Sequence, residues 1–95
     1  MPGYVIGNIN VTDPDAFEQY RGMVPATIAA YGGKYLVRGG VADVVEGDWT
    51  PNRLVVLEFE SVERAREWYN SPEYTPAKAV RLKASTGDLL FVEGV

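Results

Sequence analysis

Six side chains of this sequence carry groups that a small-molecule site could use: Asn8, Tyr20, Arg38, Glu58, Tyr74 and Arg81. Glu58 lies in RLVVLEFE, residues 53–60, a strand-like run with apolar side chains of both parities. A carboxylate there is costly if buried alone. It reads either as a general base with a raised pKa or an anchor for a substrate hydroxyl, or as a strand-end residue paired with an arginine or exposed at a sheet edge. Arg38 precedes Gly39-Gly40. Glycines let backbone approach a ligand closely, and a guanidinium can hold a carboxylate with two hydrogen bonds. The plainer alternative for Arg38 is an arginine–glutamate pair across a sheet. Asn8 and Asn10 share a strand face with Tyr4 and Ile6, and buried amides need partners. Asn10 precedes a turn and reads as the wet end of the strand, which leaves Asn8 as the pocket candidate. Tyr20, Tyr31, Tyr69 and Tyr74 fall on helix faces that should meet a sheet. Such stripes usually form core, with the hydroxyl at the rim. Tyr74, beside the break at Ser71-Pro72, is the phenol expected to reach a cleft, with Tyr20 and Arg81 as further binding groups.

This set suits a small organic acid. Arg38 would anchor the anion, Glu58 would act as base, and Asn8 and Tyr74 would hydrogen-bond. The chemistry expected is proton transfer or isomerisation without a cofactor. Two alternatives stand beside it: a binding or regulatory module without catalysis, and a domain that acts through association alone. The chain has no cysteine and no histidine. That removes disulfides, thiolate nucleophiles, serine–histidine machinery and conventional zinc, haem or copper ligation. Asp13, Asp15 and Glu18 resemble oxygen ligands for a hard cation, but acids are expected in the first turn of any helix, and there is no calcium loop. The Gly-Gly pairs lack the lysine–serine signature of a phosphate loop. Trp49, in a loop, is expected to pack on a partner subunit. No metal and no cofactor are expected.

Ninety-five residues fit a single domain, 1–95, and a chain this short hides only roughly 60–65% of its unfolded surface. The net charge is −4 and the nine basic residues are scattered, which argues against nucleic acid as partner. No apolar run approaches the roughly 18 residues of a membrane span. The N-terminus MPGYVIGNINV does not read as a signal peptide, so a cytoplasmic location is expected.

The elements that must position these groups can be read from local pattern. Tyr4 to Val11 reads as a strand, stopped by Thr12-Asp13-Pro14; Thr12 or Asp13 can cap the helix that follows, with Pro14 in its first turn. Phe17, Tyr20, Val24, Ile28 and Tyr31 form one helical stripe, with Pro25 expected to kink it near Arg21. Gly32-Gly33 ends that helix. Lys34 to Glu46 is strand-like, with a bulge or bend expected at Gly39-Gly40, and residues 47–52 read as a hairpin loop. Residues 53–60 form the third strand. Ser61 caps a short helix carrying Val62, Ala65, Trp68 and Tyr69. The helix restarts at Ser71-Pro72, with Thr75-Pro76 as a second restart point, and ends at Gly87 before a last strand, Asp88 to Glu93. The order β-α-β-β-α-β is a split βαβ, an α+β ferredoxin-like fold with a four-stranded antiparallel sheet.

Right-handed crossovers put both helical segments on one face of such a sheet. Yet Val55, Leu57 and Phe59 oppose Leu54 and Val56, and Leu89 and Phe91 oppose Leu90 and Val92. Left in water, the second face would be a larger apolar patch than monomers usually tolerate. Hiding 600 Å² of it is worth on the order of 15 kcal/mol before association costs, at ~25 cal/mol per Å². The simplest cover is a second copy packed sheet to sheet about a two-fold axis.

Four segments, YGGKYLVRGG at 31–40, VVEGDW at 44–49, RLVVLEFES at 53–61 and NSPEYTPAKAVR at 70–81, resemble the small bacterial family called domain of unknown function 1330. The resemblance covers nearly the whole chain. It implies membership of the dimeric α/β-barrel superfamily: a ferredoxin-like protomer whose sheet packs on its twin. Relatives across that superfamily include cofactor-free monooxygenases, isomerases, dehydratases and haem-degrading enzymes, which commonly bind small organic molecules between sheet and helices. The absence of histidine sets this chain apart from those that use it.

Overall fold

Of the two residues that could cap the first helix, Asp13 does so: its Oδ1 accepts from the Ala16 N–H at 3.2 Å, and Pro14 occupies the first turn, where no N–H is needed. The computed structural model describes residues 1–95. The elements are β1 (Gly3–Val11), α1 (Pro14–Ala30), β2 (Lys34–Arg38), β3 (Arg53–Phe59), α2 (Val62–Tyr69), α3 (Thr75–Ala84) and β4 (Ser85–Glu93). All strand pairings are antiparallel, in the order β2-β3-β1-β4. This is the α+β ferredoxin-like arrangement, with the helices on one face of the sheet.

Val5, Leu57 and Phe59 are buried under the helices against Val24, Ile28 and Trp68, and Ile9 is buried in a second cluster with Phe17 and Ala84. Directly paired residues of antiparallel strands share a face. The pairings Tyr4↔Glu58, Ile6↔Val56, Ile6↔Leu90, Tyr4↔Val92 and Val37↔Val56 therefore assemble the other face. No helix covers it. The molecule is a slab, only 16 Å through its shortest Cα extent, and Leu90 on the bare side is 47% exposed.

Several boundaries differ from expectation. The strand expected over Lys34–Glu46 stops at Arg38, and residues 39–52 form neither helix nor strand. Gly39 turns the chain with φ +70°, and a Cβ there would collide with the Arg53 guanidinium. Beyond it, Val41 and Val45 stand in solvent without a strand to pair with. The bulge lies earlier than the glycine pair. Register slips between Tyr35↔Leu57 and Val37↔Val56, so Leu36 is the extra residue. The slip re-aims the end of the strand: Tyr35 and Arg38, three residues apart, both face the helices, where a regular strand would oppose them.

Helix α1 runs unbroken through Pro25. The second helical segment restarts at Thr75, the later of the two expected points, because Ser71 is engaged in ending the first. Ser71 Oγ donates to the Trp68 carbonyl at 2.7 Å and accepts from the Tyr74 N–H at 3.1 Å. That closure drives Tyr74 into the interior. Gly87 does not end a helix; α3 ends at Ala84, and Gly87 lies inside β4 with φ +137°. A Cβ there would strike the Asn8 carbonyl oxygen.

These environments predict opposite outcomes for two glycine-to-alanine changes. Gly87→Ala should lower stability by about 1–3 kcal/mol, the strain of a non-glycine residue in that conformation. Gly22→Ala in α1, where a Cβ would meet nothing, should raise it by about 0.5–1 kcal/mol. Urea unfolding of both variants checks the pair.

Candidate functional site

A cavity lies between the helix-covered sheet face and helices α1 and α3, with about 40 Å³ reachable by the centre of a water molecule. That is room for more than one water-sized group. Sixteen residues line it, twelve of them hydrophobic. The other four are Arg21, Arg38, Arg53 and Arg81; no carboxylate is among them.

Each arginine reaches the cavity for a local reason. Arg21 sits four residues after Phe17 and three before Val24, on the buried stripe of α1. Its Nη1 meets Glu18 at 3.1 Å on the surface, while its Nε is buried without a hydrogen-bond partner. Arg38 is turned inward by the bulge and donates from Nη2 to the Arg21 carbonyl at 3.1 Å. That carbonyl is free because Pro25, four residues on, has no N–H to give it. The Arg38 guanidinium also lies 4.7 Å from the centre of the Tyr35 ring. Arg53 shares the inward parity of Val55 and Leu57 and stands over Phe17. It has no ion pair. Burial, then repulsion from Arg21 and Arg38, makes it hold its proton less tightly than an ordinary arginine.

Arg81, on α3, is 8% exposed, again without a carboxylate. Its Nε donates to the Tyr74 hydroxyl at 3.2 Å. Burial opposes its charge, but the Tyr74 and Tyr20 oxygens more than offset this, so its pKa is raised. The Tyr74 and Tyr20 hydroxyls are 3.0 Å apart. Burial pushes the Tyr20 phenol far above its usual range and keeps it protonated. Trp68 stacks on Tyr74 with ring centroids 4.1 Å apart, and its indole N–H donates to Thr27 Oγ1 at 3.0 Å. The ring that carries the Tyr74 hydroxyl is thereby clamped.

Of the six candidate residues, the fold brings Tyr20, Arg38, Tyr74 and Arg81 together at this cavity. It separates Glu58 and Asn8 from it. Glu58 lies on the helix-free face, where its Oε1 meets Lys34 Nζ at 3.1 Å. The ion-pair alternative describes it, with lysine in place of arginine. Asn8 is on that face too, and its Oδ1 accepts from the Asn52 N–H at 2.8 Å, anchoring the end of the 39–52 segment. Sequence reasoning missed Arg21, Arg53 and Tyr35. Helical spacing signals the first, and strand parity with Val55 and Leu57 signals the second. Tyr35 falls on a strand face by parity, but no pattern aims it at a site.

The family model described as "Domain of unknown function (DUF1330)" matches residues 2–95. The chain belongs to this family. No curated protein matches it. Among solved structures, it is similar to a Rhodopseudomonas palustris protein of unknown function, with 18% identity, TM-score 0.78, and coverage of 99% of this chain and 82% of the other. It is also similar to SnoaB, a cofactor-independent oxygenase from Streptomyces nogalater, with 13% identity, TM-score 0.67, and 99% and 93% coverage. A third similar structure is a Mycobacterium tuberculosis protein, with 20% identity, TM-score 0.58, and 100% and 96% coverage. At these identities the feature shared with the three is the fold.

The Pro25–Arg38 arrangement predicts a trade between stability and placement. Pro25→Ala restores an N–H to the Arg21 carbonyl and should stabilise the protein by about 1–3 kcal/mol. It should also release Arg38, read by mass spectrometry as faster phenylglyoxal modification at that residue.

Proposed function

We propose that this protein binds a small organic anion with an apolar or aromatic body in the cavity between sheet and helices, and that it does so as a homodimer. One observation carries the binding reading: every charged residue lining an otherwise apolar cavity is an arginine. Buried charges in proteins are normally paired. Here Arg81 is buried without a counter-ion and Arg21 Nε has no partner. A ligand carboxylate or other oxygen anion supplies what the chain withholds. The surrounding acidity of the protein, net −4, makes this a local feature rather than a consequence of composition.

The homodimer reading rests on the uncovered sheet face. Tyr4, Ile6, Val37, Leu54, Val56, Leu90 and Val92 form one apolar surface with a single ion pair, Lys34–Glu58, at its margin. A second copy is the self-complementary cover for such a face. Val45 and Trp49, exposed on the 39–52 segment, offer further apolar surface to the same partner.

The geometry favours binding over isomerisation. The cavity holds phenols and guanidiniums but no carboxylate, and the raised Tyr20 pKa makes that phenol a donor, not a base. A second reading, cofactor-free oxygenation of a substrate that enters already ionised, draws on the likeness to SnoaB and needs no base from the protein. Dioxygen uptake with a panel of hydroquinones, above the rate without protein and lost in Arg81→Met, would support it.

Thermal melting tests the binding reading. Benzoate at ten times its dissociation constant should stabilise by about 1.4 kcal/mol, or roughly 6–11 °C. Benzamide, of the same shape but neutral, should not. Arg81→Met and Arg53→Met should each abolish most of the benzoate shift. Equal shifts for benzoate and benzamide would refute an anion site. For the dimer, sedimentation velocity should show twice the 10.5 kDa chain mass, falling to one chain mass in Leu90→Lys.

A further inference from the structure

We infer that the Arg81–Tyr74–Tyr20 chain presents one polarised phenolic O–H, that of Tyr20, to an oxygen anion of the ligand, so that the ligand class is a small phenolate or enolate. This rests on the anion-cavity reading and narrows it.

The proton order is set by valence. Arg81 Nε–H can only donate, so the Tyr74 oxygen accepts from it. A hydroxyl has one hydrogen and two lone pairs. If Tyr20 donated to Tyr74, the Tyr74 oxygen would accept twice. Its own hydrogen would then lack a protein partner on a phenol that is 1% exposed. If Tyr74 donates to Tyr20, every hydrogen inside the chain is used, and the free one belongs to Tyr20, the more exposed of the two cavity-lining phenols. The second order leaves no buried donor unpaired. It also sends polarisation outward: a guanidinium donating to Tyr74 makes its O–H a stronger donor, and Tyr20 inherits the effect.

The walls limit what can accept that hydrogen bond. Tyr20 lies edge-on to Tyr74, at a centroid distance of 6.4 Å, and packs against Phe17 at 5.4 Å. Trp68 backs the Tyr74 ring. A planar ligand with its oxygen conjugated to a ring or double bond matches this aromatic enclosure. A carboxylate spreads its charge over two oxygens and suits the guanidinium forks of Arg21, Arg38 and Arg53. A single phenolate or enolate oxygen concentrates charge where one hydroxyl can meet it.

Substituted phenolates of similar size and different acidity provide the probe, measured by calorimetry at a pH where all are ionised. In the wild-type protein, affinity should rise with the basicity of the phenolate oxygen. Tyr20→Phe should weaken phenolate binding about ten-fold or more, the usual loss for a hydrogen bond to a charged group, and should flatten the dependence on basicity. Tyr74→Phe should flatten it as well by severing the chain. Tyr69→Phe, whose ring packs on Tyr74 without joining the chain, should leave affinity within two-fold. Phenolate affinities that are unchanged in Tyr20→Phe, or indifferent to basicity in the wild type, overturn the donor chain while benzoate binding keeps the anion cavity. If neither benzoate nor any phenolate binds the wild type, the cavity reading fails and this inference fails with it.

Discussion

Four guanidinium groups around one apolar hollow, with no carboxylate among its walls, form the constraint on which the rest of this structure depends. Burial, and then repulsion from Arg21 and Arg38, weakens the hold of Arg53 on its proton. A fold that tolerates such an arrangement must fix each group by other means. Arg38 is held by a carbonyl that a proline leaves free, Arg81 by the Tyr74 hydroxyl, Arg53 by the Phe17 ring and Arg21 by a surface glutamate. None of these contacts neutralises charge inside the cavity. The arrangement resembles the lysine- and arginine-lined sites that wait for an anion more than the paired networks that stabilise cores.

The two faces of the sheet divide the labour. Inward parity carries Val5, Ile9, Val55 and Leu57 with the cavity arginines, under a helical layer clamped by the Trp68–Tyr74 stack. Outward parity carries a greasy surface marked by one lysine–glutamate pair. This division explains why a strand such as 53–59 is apolar on both sides. It also explains why its acid and its base are on opposite faces: Arg53 serves the cavity, and Glu58 borders the bare face.

Much of this was legible in the residues. Capping by Asp13 and Ser61, the stripe from Phe17 to Ile28 and the two-sided strands were sufficient for the element order and the one-sided helical layer. Tyr20, Tyr74 and Arg81 could be placed near one another because helical spacing aimed them at the same sheet. Glu58 drew attention as the acid inside an apolar strand, although its parity with Leu54 and Val56 already put it opposite Val55 and Leu57. That same parity puts Arg53 on the cavity side, a signal present in the strand but overshadowed by the acid. Other features were not legible because they depend on tertiary contacts. The bulge at Leu36 reverses the facing of Arg38, and no local signal marks it. Asn8 finds its partner in the Asn52 N–H, 44 residues away, and no local pattern signals that contact. Gly87 looks like a helix stop, but it permits close approach to the Asn8 carbonyl within a strand.

Whether these guanidiniums together receive an anion is therefore the central question. Arginine side-chain Nε–H resonances report on it directly, in heteronuclear NMR spectra recorded while benzoate is titrated. Arg21, Arg38, Arg53 and Arg81 should shift together along one saturable curve, while Arg64 and Arg66, outside the cavity, remain still and benzamide moves none of them. Spectra in which benzoate leaves the four cavity arginines unmoved, or perturbs all six arginines alike, would contradict a shared anion site.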